Sequence, residues 1–144
     1  MTSDHKKVKQ AFAHFETLGE RAFVAKKKLA DAICAALTVH ATVEEEIFYP
    51  AVRASVPNGK PMIDEATVEH AGAKDLIAQL LSMDANEELF DAKIKVLSEQ
   101  IEHHVKEEES EMFVRAKKSA LDLVALGEQM AARKEELGAK PIRL

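Results

Sequence analysis

Two short phrases in this chain pair an imidazole with a carboxylate at a spacing suited to holding a cation. They are His40-Ala-Thr-Val-Glu44 and His104-Val-Lys-Glu-Glu108. On a helix, residues four apart lie one above the other on the same face. Each phrase therefore aims one His and one Glu at the same region. Each also has a forerunner: Asp4-His5 stands 35 positions before His40, and Glu69-His70 stands 34 positions before His104, counted from His to His. The repeated unit is an acidic residue and a His on one segment, then His-x-x-x-Glu on the next. Two such units fit two helical hairpins related by a pseudo-twofold axis, and are too few for a solenoid.

Four His lie on apolar stripes. His5 is in line with Val8, Phe12 and Phe15, and His40 follows Ile33 and Leu37. His70 lies between Ala66 and Ala73, and His104 follows Leu97 and Ile101. One inward His is more often a hydrogen-bonded core residue. Four on four helices, two of them bringing an inward Glu, are better explained by metal, because a buried carboxylate needs a partner or an ion. The nearest candidate cation is Lys74, one turn after His70. The expected donors are His5, His40, Glu44, His70, His104 and Glu108. Imidazoles and carboxylates without thiolate suit Fe, Mn or Zn. Six donors exceed one tetrahedral zinc, and two carboxylates able to bridge make a dinuclear centre natural.

The neighbouring polar residues carry two readings each. Glu45, Glu109, Glu69 and Asp4 serve either as acceptors for the far nitrogens of the candidate His or as solvated surface. Tyr49 either reaches the centre or is a buried structural Tyr, the latter favoured. His103 groups with Val96, Gln100 and Glu107 and reads as surface, and His14 reads as solvent-exposed. Cys34 and the Met residues read as core filling, as do Phe48, Met112 and Phe113 around the site.

The elements that must position these groups are helical throughout. Hydrophobic residues make up 47% of the 144, charged residues 31%, and there are only five Gly and four Pro. This marks one globular all-α domain. Thr2-Ser3-Asp4 offers N-cap chemistry. A second helix spans about Arg21 to Ser55 on a stripe of Ile33, Leu37, His40, Glu44, Ile47 and Ala51, with Pro50 expected to bend it. Val56-Pro57-Asn58-Gly59-Lys60-Pro61 is a turn. The third stripe is Ile63, Ala66, His70, Ala73, Ile77 and Leu80. A short loop covers Ser82 to Asn86, where Asp84 and Glu87 resemble a capping box. The fourth stripe is Phe90, Ile94, Leu97, Ile101, His104 and Glu108. A last helix spans Leu121 to Leu137, and the tail Ala139 to Leu144 is expected to fray.

Residues level with one another in an antiparallel hairpin are equidistant from its turn. His70 and His104 then require a turn near residue 87, and His5 and His40 one near Ala22, so Lys26-Lys27-Lys28 belongs inside helix two. The expected architecture is an up-down-up-down four-helix bundle over residues 1–118, with residues 119–144 a C-terminal helix and tail packed on it or extending it.

The net charge of −5 excludes a broad phosphate-binding surface, and no basic, aromatic-studded face points to nucleic acid. The single Cys excludes a disulfide framework. With no signal-like leader and no long apolar segment, a cytoplasmic protein without membrane contact is expected. No zinc-protease, phosphate-loop or nucleophile-elbow pattern is present. The inward Glu-x-x-His pairs of ferritin-like carboxylate proteins are absent too.

Taken together, Asp4-His5, His40 through Pro50, Glu65 through His70, and His104 through Glu109 resemble the hemerythrin family, in particular the bacterial proteins with an HHE cation-binding domain. The resemblance implies a non-haem centre of two Fe ions, oxo- or hydroxo-bridged, with Mn or Zn as the lesser alternatives. By position, His5, His40, His70 and His104 are its terminal ligands and Glu44 and Glu108 its bridges. It further implies O2, H2O2 or NO as the small-molecule partner, with catalase-like or peroxide- or NO-reducing activity as the enzymatic possibility. The alternative is an iron- or redox-sensing, or iron-handling, module without turnover. One departure stands out. Oxygen carriers of the family have a His pair four apart on the third helix, whereas His70 has Ala66 and Lys74 at that spacing. That gap, which Tyr49 or water could fill, argues against reversible O2 carriage.

Overall fold

A computed structural model describes residues 2–138. The helices are α1 (Thr2–Thr17), α2 (Phe23–Val43), α3 (Tyr49–Ser55), α4 (Lys60–Leu81), α5 (Phe90–Glu107), α6 (Phe113–Lys117) and α7 (Leu123–Glu136). Two π-helical turns, Glu44–Phe48 and Glu108–Met112, join α2 to α3 and α5 to α6, so each pair is one continuous rod. α1 packs on α2, α2 on α4, α4 on α5, and α1 closes against α5. The result is the expected antiparallel four-helix bundle with an additional C-terminal helix.

The turns explain the corners. α1 ends before the segment 18–22, so Lys26-Lys27-Lys28 falls inside α2 as the hairpin geometry requires. Lys26 is buried and reaches Asp91 Oδ2 at 3.0 Å and the Glu20 carbonyl at 3.3 Å. Asn58, in the left-handed region at φ 57°, completes the turn before Pro61 in the first turn of α4. Gly138 adopts φ 72°, the left-handed conformation that glycine accepts after a helix end.

Three local expectations need correction. α1 already includes Ser3 and Asp4, so Asp4 is not a cap; it turns inward. The loop before α5 runs to Leu89, because Leu89 takes φ 74° and bars the helix from starting earlier. Half of the capping pattern forms, the Glu87 carboxylate accepting from the Asp84 N–H, yet no helix begins directly after it. α7 starts at Leu123, capped by the Asp122 carboxylate accepting from the Ala125 N–H at 3.0 Å. The tail expectation falls outside the described residues.

The core is divided. One cluster gathers Phe12, Phe15, Ile33, Leu80, Phe90 and Leu97 with their neighbours. The other gathers Val43, Phe48, Val52, Ile63, Met112 and Met130 with theirs. α1 contributes to the first cluster only, and α7, through Leu126 and Met130, to the second only. α7 thus fills the bundle on the side of the His–Glu layer that the short α1 does not reach. No described helix is long and apolar enough to cross a membrane.

Candidate metal centre

Between the two clusters lies a polar layer. His5 on α1, His40 on α2, His70 on α4 and His104 on α5 bring one imidazole from each corner. The two π turns bring Glu44 and Glu108, which are 0% and 1% exposed. His5 Nε2 lies 3.2 Å from His40 Nε2 and 3.5 Å from Glu108 Oε1. His70 Nε2 lies 3.1 Å from His104 Nε2 and 3.4 Å from Glu44 Oε1. Glu44 Oε1 is also 3.0 Å from His40 Nε2, and Glu108 Oε2 is 2.9 Å from His104 Nε2. The donors therefore form two sets, His5–His40–Glu108 and Glu44–His70–His104, each with ligand atoms within 4.8 Å of one another. Each carboxylate touches a His of both sets.

Behind each imidazole stands a second carboxylate. Glu109 Oε1 is 2.9 Å from His5 Nδ1, and Asp4 Oδ2 is 3.2 Å from His40 Nδ1. Glu45 Oε1 is 3.6 Å from His70 Nδ1, and Glu69 Oε1 is 3.8 Å from His104 Nδ1. At His5 and His40 the carboxylate is within hydrogen-bond distance and fixes Nδ1 as the N–H donor, whereas at His70 and His104 it stands further off and Nδ1 has no hydrogen-bond partner. The residues that sequence reasoning leaves between acceptor and surface, Asp4, Glu45, Glu69 and Glu109, all stand behind a His. Lys74 does not neutralise the buried pair of Glu; it holds both oxygens of Glu45 at 2.8 and 2.6 Å. Lys134 on α7 holds Asp4 Oδ1 at 2.6 Å.

The π turns are the feature the sequence does not reveal. Each opens on the buried Glu, whose carbonyl accepts from the N–H five residues on, Tyr49 in one and Phe113 in the other. The extra residue rotates the next stretch of helix about its axis. Phe48, Tyr49 and Val52 are buried, whereas Ile47 and Ala51, placed on the stripe by regular periodicity, are only half-buried. Pro50 comes just after the first turn but Val114 occupies the matching place after the second, so proline is not their common cause. The common element is a Glu held inside the bundle, and π turns are often found at such functional positions.

That rotation carries Tyr49 into the layer. Its hydroxyl lies 3.1 Å from His70 Nε2, 3.2 Å from His104 Nε2, and donates to Glu108 Oε2 at 3.2 Å. Burial and the charges of Glu44 and Glu108 push the Tyr49 phenol well above its usual range. Phe113 stacks on His5 with ring centroids 6.0 Å apart and planes 2° from parallel. His103 stays on the surface beside Glu107, and His14 is half-buried rather than free.

The electrostatics suit a cation. Burial alone would raise the Glu108 carboxyl, but the imidazoles of His104 and His5 beside it outweigh that and hold it below the usual range. Burial alone would lower His40, but the Glu44 charge and the Asp4 and Glu44 carboxylates push it up to about 10. Both oxygens of Glu44 and Oε1 of Glu108 are nonetheless buried without a hydrogen-bond partner, since the short N···O separations lack hydrogen-bond alignment. A buried carboxylate oxygen left unpaired is costly. These orphans and the inward Nε2 atoms match the preferences of Fe, Mn or Zn. Beside them lies a cavity of about 40 Å³ whose apolar wall includes Val8, Leu37, Ile101 and Val105. It has room for a few atoms of a small molecule and not for a metabolite.

Comparison with known proteins agrees with this architecture. The model of the hemerythrin HHE cation binding domain matches residues 1–116. The uncharacterized protein Rv2633c of Mycobacterium tuberculosis and the uncharacterized protein Mb2666c of Mycobacterium bovis are each 30% identical over 117 residues, which is 79% of this chain and 70% of theirs. A crystal structure of a hemerythrin HHE cation binding domain-containing protein from Mycobacterium kansasii, a homologue of Rv2633c, aligns with a TM-score of 0.78. It is 24% identical and covers 94% of this chain and 83% of its own.

Proposed function

The chain belongs to the hemerythrin HHE cation-binding family, and from that premise we propose that it holds two iron ions and reacts with a small oxidant, O2, H2O2 or NO. His5 and His40 would hold one ion, His70 and His104 the other, and Glu44 and Glu108 would bridge them. The observation that carries this reading is the pairing of ring nitrogens. His5 Nε2 faces His40 Nε2 at 3.2 Å, and His70 Nε2 faces His104 Nε2 at 3.1 Å. Each pair converges at hydrogen-bond distance, so a cation can take the place of the proton shared between its two nitrogens.

When bound, the two irons would supply electron exchange with the oxidant. The protein's part is to orient and to exclude. Glu109 and Asp4 fix the ring tautomers of His5 and His40, and the apolar wall of the small cavity admits a diatomic or a peroxide and little water. Tyr49 places a hydroxyl where a fifth His is missing, and Ala66 and Lys74 offer no donor there. This favours reaction with an oxidant over reversible O2 carriage.

The test is metal analysis and an optical spectrum of protein loaded anaerobically with Fe2+, then exposed to each oxidant. About two irons per chain and a new near-ultraviolet to visible absorption on oxidation are expected. Release of O2 from H2O2 would identify catalase-like turnover, and a spectral change without turnover would identify a sensor or iron-handling module. Iron-loaded protein that is inert to all three oxidants would leave the proposal without support.

A further inference from the structure

We infer that ions reach the buried centre through a separate outer cation site formed by Glu69, His103 and Glu107. This inference rests on the reading of the inner layer as a metal centre and concerns how that centre is filled. His103 is turned to solvent, with Nε2 3.1 Å from Glu107 Oε1 one turn on. Glu69 approaches from α4, and the three residues bring ligand atoms within 4.8 Å of one another. One imidazole and two carboxylates suit a hydrated divalent first-row cation.

Two of the three residues, Glu69 and Glu107 but not His103, line a cavity of about 200 Å³ whose inner wall includes His104 and Glu108. Glu65 and Glu111 also line it, so its field favours cations. Arg115, on its wall, donates to the Pro57 carbonyl at 2.6 Å and stands 3.9 Å from Glu111, leaving Glu65, Glu69 and Glu107 as acids not paired with it.

Glu69 also links this side to the inner layer. His104 is 7% exposed, and its Nδ1, the nitrogen facing away from the inner layer, is buried without a hydrogen-bond partner. Its neighbour is Glu69 Oε1 at 3.8 Å, too long for a hydrogen bond. His70 Nδ1 is likewise without a hydrogen-bond partner, with Glu45 Oε1 at 3.6 Å, but Glu45 is held by Lys74 and takes no part in the outer cluster. Glu69 alone is shared between a ring nitrogen of the inner layer and the outer three. An ion bound outside draws Glu69 outward; passage inward lets Glu69 close on His104 Nδ1 and fix its tautomer.

Rapid mixing of metal-free full-length protein with Co2+, monitored by its visible ligand-field absorption, tests this. The variant H103A/E107Q removes the outer donors from exposed positions. E102Q, on the same helix and paired with Lys106, removes one negative charge away from the cavity and is the charge-matched control. The double variant should load about tenfold more slowly or worse, with final stoichiometry and spectrum unchanged, while E102Q loads at the wild-type rate. A wild-type rate in the double variant, or equal slowing in E102Q, overturns the outer site and leaves the inner reading standing. No Co2+ uptake by wild-type protein overturns the inner reading and this one with it. Far-UV circular dichroism checks the fold, and H103A alone carries the comparison if the double variant does not fold.

Discussion

The Tyr49 hydroxyl lies 3.1 Å from the Nε2 of His70, on the ring for which α4 supplies no second imidazole. This contact exists because the π turn Glu44–Phe48 adds a residue to the helical path and swings Tyr49 inward. Without an ion the phenol stays protonated, since burial and two carboxylates oppose its ionisation. A bound cation reverses that balance. Ferric-loaded wild-type protein should therefore show a visible phenolate-to-iron absorption that Y49F lacks, while Y49F still folds and binds iron. Identical spectra would place Tyr49 in a purely structural role.

Removing a buried carboxylate should weigh far more on the metal-loaded protein than on the metal-free one. Glu44 is 0% exposed and both its oxygens lack hydrogen-bond partners. E44Q should change metal-free stability by no more than about 1–3 kcal/mol, because relief of two unpaired buried oxygens is offset by loss of the charge opposite His40. It should also abolish the rise in Tm on metal addition, which for a tight site at a hundredfold excess over Kd is worth about 2.7 kcal/mol. Thermal melts with chelator and with Fe2+ decide the matter; an equal fall in both would contradict the argument.

The metal-free protein should have a lopsided pH profile. His40 has a folded value of about 10 against about 6.5 unfolded, so its contribution is complete below pH 6.5 and lost as pH rises through the folded value. Glu108 and Asp4 are held below their usual range, so their contribution is present above about pH 4 and lost as pH falls. Urea midpoints in chelator should peak at mildly acidic pH and decline steadily on the alkaline side. Metal binding must displace the His protons, so loading near neutral pH should release protons and flatten the alkaline decline. A flat metal-free profile from pH 6 to 9.5 would count against this electrostatic account.

The C-terminal helix should matter for the site-side half of the core. Met130 is 8% exposed within the cluster that includes Val43, Phe48 and Met112. M130A should cost about 2–5 kcal/mol, with amide exchange accelerated first in residues 43–55. I33A, in the other cluster, should instead accelerate exchange in α1 and the first turns of α5. Identical exchange patterns for the two variants would show that the core behaves as one unit.

Much of the architecture is legible in the chain because it depends on periodicity. The 35- and 34-residue offsets set the hairpin lengths, and with them the turn at 18–22 and the place of Lys26-Lys27-Lys28. The inward aim of His40 and Glu44 comes from four-residue spacing alone. The illegible parts depend on backbone that departs from 3.6 residues per turn. Nothing in Glu44-Glu45-Glu46 or Glu108-Glu109-Ser110 spells a π turn, so regular spacing puts Ile47 and Ala51 on the buried stripe instead of Phe48 and Val52. The end of the loop before α5 is hidden because Leu89 is not a residue type that advertises a left-handed φ. The carboxylates behind each ring are the intermediate case. Their positions beside His or Glu are visible, but adjacency on a helix cannot say which neighbouring helix a side chain will meet.

The division of the core by the His–Glu layer bears on how the molecule comes apart. α1 anchors one compartment and α7 the other, and between them the polar layer holds buried carboxylate oxygens without partners. An ion drawing on all four corners would act as a rivet through the bundle's waist, converting two loosely coupled halves into one cooperative block. Metal content would then set the width of the unfolding transition as well as its midpoint.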